Sequence, residues 1–159
     1  MMNPLRRVDL KTTPEQAMEI LRQSEYGFLS TINSDGTPHS VPIAFAVEGE
    51  YIYFHCARAG QKLDNLNRDS RASFSCVARY TPCPEKYNVA YSSCMAEGHV
   101  ERVTDEAQRT RTMKALVDKY CPGQWDSESC LRTMRGMPAV VMLRMKIENI
   151  CGKANRGMV

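Results

Sequence analysis

No stretch of about 18 consecutive apolar residues occurs in the sequence, which excludes an ordinary membrane-spanning helix. No C-x-x-C pair occurs either, although seven cysteines are scattered along the chain: Cys56, Cys76, Cys83, Cys94, Cys121, Cys130 and Cys151. An odd set without close pairs fits neither a disulfide framework nor a zinc site, so free thiols in a reducing compartment are expected, and no metal. Histidine is scarce, with only His39, His55 and His99, and the sequence has no G-x-S-x-G elbow, no H-E-x-x-H and no EF-hand loop. Hydrolytic and metal-dependent chemistry therefore lack their usual signals. Neither sign of charge dominates: 21 Lys and Arg face 18 Asp and Glu, a net +3. That excess calls for no nucleic acid and no membrane surface. Met1–Arg7 carries basic residues with no apolar segment behind them, so a cytoplasmic protein without a signal peptide is expected.

What is present suffices for one domain. The 159 residues are 43% hydrophobic, with a mean hydropathy of −0.43. A single domain over 1–159 is expected, with residues 1–12 as an N-terminal arm and 154–159 as a short tail. Ten methionines beside the seven cysteines supply soft, adaptable packing.

Local signals divide the chain. Thr13-Pro14-Glu15-Gln16 reads as an N-cap, a first-turn proline and a capping box, opening a helix that ends near Ser24. Phe28–Ile32 reads as a strand that stops at the turn Asn33-Ser34-Asp35-Gly36. His39–Val47 follows as a second strand, and Pro42 requires an edge or a bulge there. Tyr51–His55 is the third, and these three read as a meander. Arg58–Asn67 fits a loop entering a short helix, Arg71–Arg79 a half-buried strand, and Tyr80–Asn88 a loop. Val89–Val103 is a long strand broken or bulged at Gly98. A helix capped at Thr104-Asp105-Glu106 runs to about Tyr120, with Met113, Leu116, Val117 and Tyr120 on one face. Gln124–Pro138 holds a short helix and a loop, and Ala139–Ile150 is the last strand. A small closed antiparallel barrel is the expected architecture.

Two stretches could carry function. Tyr51-Ile52-Tyr53-Phe54 places aromatics on a strand, which is how small barrels stack single-stranded bases, although such strands are more often core. His55-Cys56-Ala57-Arg58-Ala59-Gly60-Gln61-Lys62 ends a strand, turns at a glycine and opens a helix beside a lysine. Exposed backbone N–H groups, a helix N-terminus and a nearby cation are what a phosphate needs. From the residues alone, this cradle and an ordinary strand-to-helix loop are equally good readings.

The segment Ser30–Pro42 with Asp35-Gly36-x-Pro38-x-x-Val41-Pro42, then Ile52-Tyr53-Phe54-His55-x-Ala57-x-x-Gly60-x-Lys62, resembles the pyridoxamine 5′-phosphate oxidase-like FMN-binding split barrels. It is most similar there to the nitroimidazole-resistance group. Glu85-Lys86-Tyr87, Ser93, Gly98 and Ile150-Cys151-Gly152-Lys153 extend the resemblance from about Arg6 to Lys153. The resemblance implies a mostly β (α+β) fold, a six-stranded antiparallel split β-barrel with flanking helices. It also implies a homodimer with FMN, or the related FAD, at the subunit interface. Lys62 with Gln61 would hold the phosphate, and His55, Cys56 and Ala57 would line the ribityl end. Ser40, Val41, Pro42 and Ile43 would run beside the ring, Ser93 would approach the flavin, and Lys153 would close the phosphate side. His55 is the candidate catalytic residue, as a proton donor or substrate holder. The implied activity is flavin-dependent reduction of small acceptors such as nitroaromatics, with NAD(P)H as donor. The alternative is a flavin- or heme-binding protein without turnover. The end Gly152–Val159 lacks the Arg-rich substrate motif of pyridoxamine phosphate oxidases proper, so vitamin B6 oxidation is not expected.

Overall fold

The computed structural model describes residues 5–136 and 139–155. Residues 1–4 of the expected arm, 156–159 of the expected tail and the end of the 124–138 segment lie outside the described residues.

A 3-10 turn at Val8–Leu10 precedes α1 (Pro14–Gln23), which opens on the expected capping box. The Thr13 hydroxyl accepts the Gln16 N–H at 3.2 Å, and Gln16 Oε1 accepts the Thr13 N–H at 3.0 Å. The strands are β1 (Gly27–Ile32), β2 (Pro38–Ile43), β3 (Ala46–Glu48), β4 (Tyr51–Ala57), β5 (Arg71–Cys83), β6 (Asn88–Arg102) and β7 (Val140–Asn155). The remaining helices are α2 (Gln61–Arg68), α3 (Glu106–Tyr120) and α4 (Glu128–Arg135). No helix among the described residues is long and apolar enough to cross a membrane.

One antiparallel sheet holds all seven strands in the order β2-β1-β5-β6-β7-β4-β3. This corrects two expectations. The sheet has seven strands rather than six, because the strand expected over His39–Val47 breaks at Ala44 and Phe45 into β2 and β3. The ladder also does not close, since β2 and β3 occupy opposite edges. Only those two residues connect the edges, so the sheet must curl until its edges approach. The three strands expected as a meander do pair in chain order, β1 with β2 and β3 with β4, but the break at Ala44 and Phe45 sends β3 and β4 to the far edge, where β4 also pairs with β7. Strand β5 runs on to Cys83, through what reads locally as a Pro-rich loop, because it stays paired with β6 as far as Cys83↔Asn88.

Two apolar clusters form. The larger fills the curl of the sheet with Leu29, Phe45, Ile52, Phe54, Phe74, Ala96 and Leu143 and seats α1 through Ala17, Ile20 and Leu21. The smaller lies under α3, where Val103, Met113 and Met142 are joined by Val117, Trp125, Met134 and Val140. Ile52, Tyr53 and Phe54 are consecutive and all buried. The rings of Tyr53 and Phe54 are therefore core, whereas Tyr51 is half-buried.

Candidate functional site

Strand β4 delivers its last residues to alternate sides. His55 is exposed, Cys56 buried and Ala57 exposed, as a period of two requires. Gly60 then takes φ +135°, a backbone shape that L side chains rarely adopt. A Cβ there would meet nothing within 4 Å, so the turn opens to solvent. The amides of Leu63 and Asp64 donate to the Gly60 carbonyl at 2.9 and 3.3 Å, which starts α2. No side chain caps α2, whereas Thr13, Asp105 and Ser127 cap α1, α3 and α4. Its first amides and its positive dipole end therefore face outward beside Lys62.

Helix α2 is pinned by a residue the sequence did not single out. Asn65 is fully buried. Its Nδ2 donates to Thr31 Oγ1 at 3.0 Å and to Asn33 Oδ1 at 2.9 Å, and its Oδ1 accepts from Gln61 Nε2 at 2.9 Å. Gln61 is thereby tied, through Asn65, to the β1–β2 hairpin. Nothing in the apolar spacing of Leu63 and Leu66 announces this role.

Burial pushes the Cys56 thiol above its usual pKa, against the opposing fields of Lys62 and Arg102. Those two cations lie on α2 and at the end of β6. Burial also lowers the pKa of His55. This favours the neutral ring, which offers one N–H donor and one acceptor nitrogen. His55 lines an apolar cavity of about 440 Å³ with Met113, Leu116, Val117, Tyr120 and Val140.

The other expected site residues lie in two further groups. On β2, Ser40 and Pro42 are exposed while Val41 and Ile43 lean into the core. Ser30 Oγ donates to Ser40 Oγ at 3.0 Å. Ser93 and Lys153 are register partners on β6 and β7, and Ser93 Oγ donates to the Lys153 carbonyl at 3.5 Å. Within one copy of the chain, only His55 among the expected residues lines one of the main cavities. The β2 group and the Ser93–Lys153 group are instead joined by the outer face of the sheet. There Pro42, Phe28, Ser75, Met95 and Cys151 form one register row, with Val77, Ser93 and Lys153 in the next. Phe28, Val77 and Met95 are 44%, 53% and 43% exposed, so this face is apolar and open.

Two arginines that carried no signal in the sequence, Arg102 and Arg109, meet Arg58 of the β4–α2 loop. Arg58, Arg102 and Arg109 line a groove at the open ends of β4 and β6, with Thr104, Glu106, Val140 and Val141. They come from three separate elements, so no local spacing could reveal them.

The family model for pyridoxamine 5′-phosphate oxidase matches residues 13–154. No curated protein matches the sequence. Among solved structures, the chain is similar to a protein from Bacteroides thetaiotaomicron named for 5-nitroimidazole antibiotic resistance (TM-score 0.77, 18% identity, covering 91% of this chain and 86% of that one). It is also similar to the flavocytochrome Anf3 of Azotobacter vinelandii (TM-score 0.79, 20% identity, 98% of this chain and 73% of that one). A third similar structure is an FAD- and heme-binding protein of Mycobacterium smegmatis (TM-score 0.75, 23% identity, 92% and 74%). At these identities the structures speak for the fold, and the match over residues 13–154 makes the chain a member of the pyridoxamine 5′-phosphate oxidase family.

Proposed function

We propose that the protein is a flavin-dependent oxidoreductase that reduces small acceptors, nitroaromatics among them, and that it works as a homodimer. The observation that carries this reading is the uncapped N-terminus of α2, opening at Gly60 beside Lys62. A phosphate fits that place: outward amides, the dipole and an ammonium group all favour a dianion, and no side chain occupies the space. The family and its flavin-binding structural relatives support a flavin as the owner of the phosphate. FMN carries only that phosphate. When bound, the flavin would supply the electron transfer, and the protein would supply position and hydrogen bonds.

In this reading Lys62 and Gln61 hold the phosphate, His55, Cys56 and Ala57 flank the chain leading to the ring, and Ser40–Ile43 present edge-strand backbone to the ring. The exposed apolar residues Phe28, Val77 and Met95, in two adjacent rows, support a second copy as the cover of the sheet face. Ser93 and Lys153 lie on that face, where they could meet a flavin held by the other copy. NAD(P)H is the proposed electron donor.

Flavin titration of the purified protein tests the reading. Uptake of FMN with an altered flavin spectrum is expected, and protein that takes up neither FMN nor FAD would overturn it. A second reading, flavin or heme binding without turnover, is favoured by one observation: His55 lines an apolar cavity, a suitable setting for a metal-bound imidazole. Anaerobic mixing of the reduced, flavin-loaded protein with nitroaromatics separates the two. Reoxidation no faster than that of free reduced FMN would leave the binding protein.

A further inference from the structure

All seven cysteines are free thiols, yet two of them are neighbours in space. Cys76 on β5 and Cys94 on β6 are register partners, and both point into the larger core cluster, 3% and 1% exposed. Directly opposed residues of an antiparallel pair stand about 4.5–5.5 Å apart at Cα, within the roughly 4.4–6.8 Å that a disulfide bridges. The row continues into a glycine on each side, Gly27 on β1 and Gly152 on β7. A Cβ at Gly152 would collide with Thr12 Oγ1 and Ala17, so α1 lies close over this row. The two thiols are therefore enclosed, with bare backbone on either side and a helix above.

Polar groups gather at this one place in an otherwise apolar core. The Cys94 thiol hydrogen-bonds Cys76, and this bond, with the field of Lys119, holds the Cys76 thiol below its usual pKa against the effect of burial. Cys94 is pushed up in turn. The fully buried Ser24, just past α1, is a further hydrogen-bonding group at Cys76. Lys119, near the end of α3, has its Nζ buried with no hydrogen-bond partner. A buried ammonium calls for an anion, and Cys76 is the group whose charge favours the protonated lysine. Cysteines that merely fill space as small apolar side chains would need no such cation.

We propose that Cys76 and Cys94 are a redox modification site: hydrogen peroxide converts the pair to an intramolecular disulfide, and the Lys119 ammonium holds the thiolate that reacts. The Cys76 thiolate attacks one peroxide oxygen, the O–O bond breaks, and hydroxide leaves, giving the sulfenic acid at Cys76. The Cys94 sulfur then displaces the sulfenic hydroxyl, the S–S bond forms, and the Cys94 proton leaves with that oxygen as water. The first hydroxide takes up the proton that Cys76 gave up. Overall two thiols lose two electrons and two protons, and one peroxide becomes two waters. Hydrogen peroxide is the oxidant that suits a nearly closed site, because it is little larger than water. The bridge would fasten β5 to β6 where Ser24 and Lys119 bring the ends of α1 and α3 together. Neither a flavin nor a second copy of the chain takes part, so the proposal stands apart from the reading above.

Peptide mapping of the unaltered protein tests this. The reduced, folded protein is treated with hydrogen peroxide, its remaining thiols are blocked with N-ethylmaleimide in denaturant, and a tryptic digest is read by mass spectrometry. Cleavage after Arg79 and Lys86 separates the two cysteines, so a bridge shows as a linked peptide pair. The expected main product joins Cys76 to Cys94 and is two hydrogens lighter than its separate parts. Both cysteines still carrying N-ethylmaleimide, or either one joined to a different cysteine, overturns the proposal. In Cys94→Ser, Cys76 should stop at the sulfenic acid and be labelled by dimedone, and an unlabelled Cys76 would remove it as the attacking thiol. Lys119→Met should slow linkage about tenfold, the loss of thiolate that one pKa unit represents. An unchanged rate takes Lys119 out of the step. So does a slowing matched by an equal slowing of amide hydrogen exchange along β5, which would trace it to rarer opening of the fold.

Discussion

Tyr120 Oη accepts the backbone N–H of Phe45 at 2.9 Å, joining the last residue of α3 to the two-residue crossing between the sheet's edges. The same oxygen lies 3.0 Å from the Phe45 carbonyl and 2.6 Å from that of Glu25. Phe45 itself is fully buried, with its ring edge-on to Phe74 at 4.7 Å between centroids. The crossing cannot join the ladder, so its backbone groups are satisfied by a side chain from a distant helix. Tyr120→Phe removes that partner and should lower stability by about 1–3 kcal/mol. A urea midpoint unchanged from the parent would contradict this account of the crossing.

Next to this contact, Lys119 Nζ is buried without a hydrogen-bond partner and stands 3.4 Å from the centroid of the Phe45 ring. Burial lowers its pKa to about 8. The folded protein therefore binds this proton less well than the unfolded chain, whose lysine titrates near 10.5. Stability attributable to Lys119 rises with pH between about 8 and 10.5, and the charge is penalised fully below that window. Lys119→Met removes the charge and keeps the stem. It should raise the urea midpoint at pH 7, by about 1 kcal/mol after allowance for the half-exposed side chain, and the advantage should shrink by pH 9.5. An advantage that grows with pH would reverse the sign of the argument.

Asn65 holds α2 on the β1–β2 hairpin. Asn65→Ala leaves the Thr31 and Asn33 groups without their partner and should destabilise the protein by about 1–3 kcal/mol. Because Gln61 loses its contact too, FMN affinity measured under folding conditions should fall with it. A variant of normal stability and normal affinity would show that the network does not position the loop.

Lys62→Ala should weaken FMN binding by about 1.5–3 kcal/mol, as expected for the loss of a charge-assisted hydrogen bond. Lys62 is half-buried at the first turn of α2, so the comparison is made under conditions where the variant is folded. An unaltered dissociation constant for FMN would place the phosphate elsewhere.

Phe28 and Met95 lie in one register row on the outer sheet face. Phe28→Asp puts a charge into that row. If the proposed homodimer forms through this face, sedimentation velocity should show a dimer for the parent and a monomer for the variant, with the fold retained. A dimer indifferent to Phe28→Asp would move the interface off this face.

The elements were legible where their causes are local. The Thr13 capping box, the turn at Gly36 with φ +84°, the helix to Tyr120 and the bulge at Gly98 all follow from a few adjacent residues. At Gly98 the ladder between β6 and β7 shifts, and a Cβ would collide with the Lys146 carbonyl. The β4-to-α2 loop was readable for the same reason, as a strand, a glycine and a lysine in succession.

Pairing and convergence were decided elsewhere. A meander is the cheapest local guess for β1, β2 and β4, since adjacent strands close short loops. The chain does pass from β1 to β2 and, through β3, to β4, but the curled sheet carries β3 and β4 to the opposite edge, where β4 also pairs with β7, 83 to 95 positions along the chain and outside any local window. Asn65 between Thr31 and Asn33, and the arginines at 58, 102 and 109, depend on contacts across long separations that no window of sequence contains. By itself, then, the sequence determined the kinds of element, their order and the strand-to-helix loop that turns at Gly60, because backbone preference and short-range capping act within a few residues. Only the tertiary structure decided which strands are neighbours and which charges share a cleft, because burial is settled by the whole chain at once.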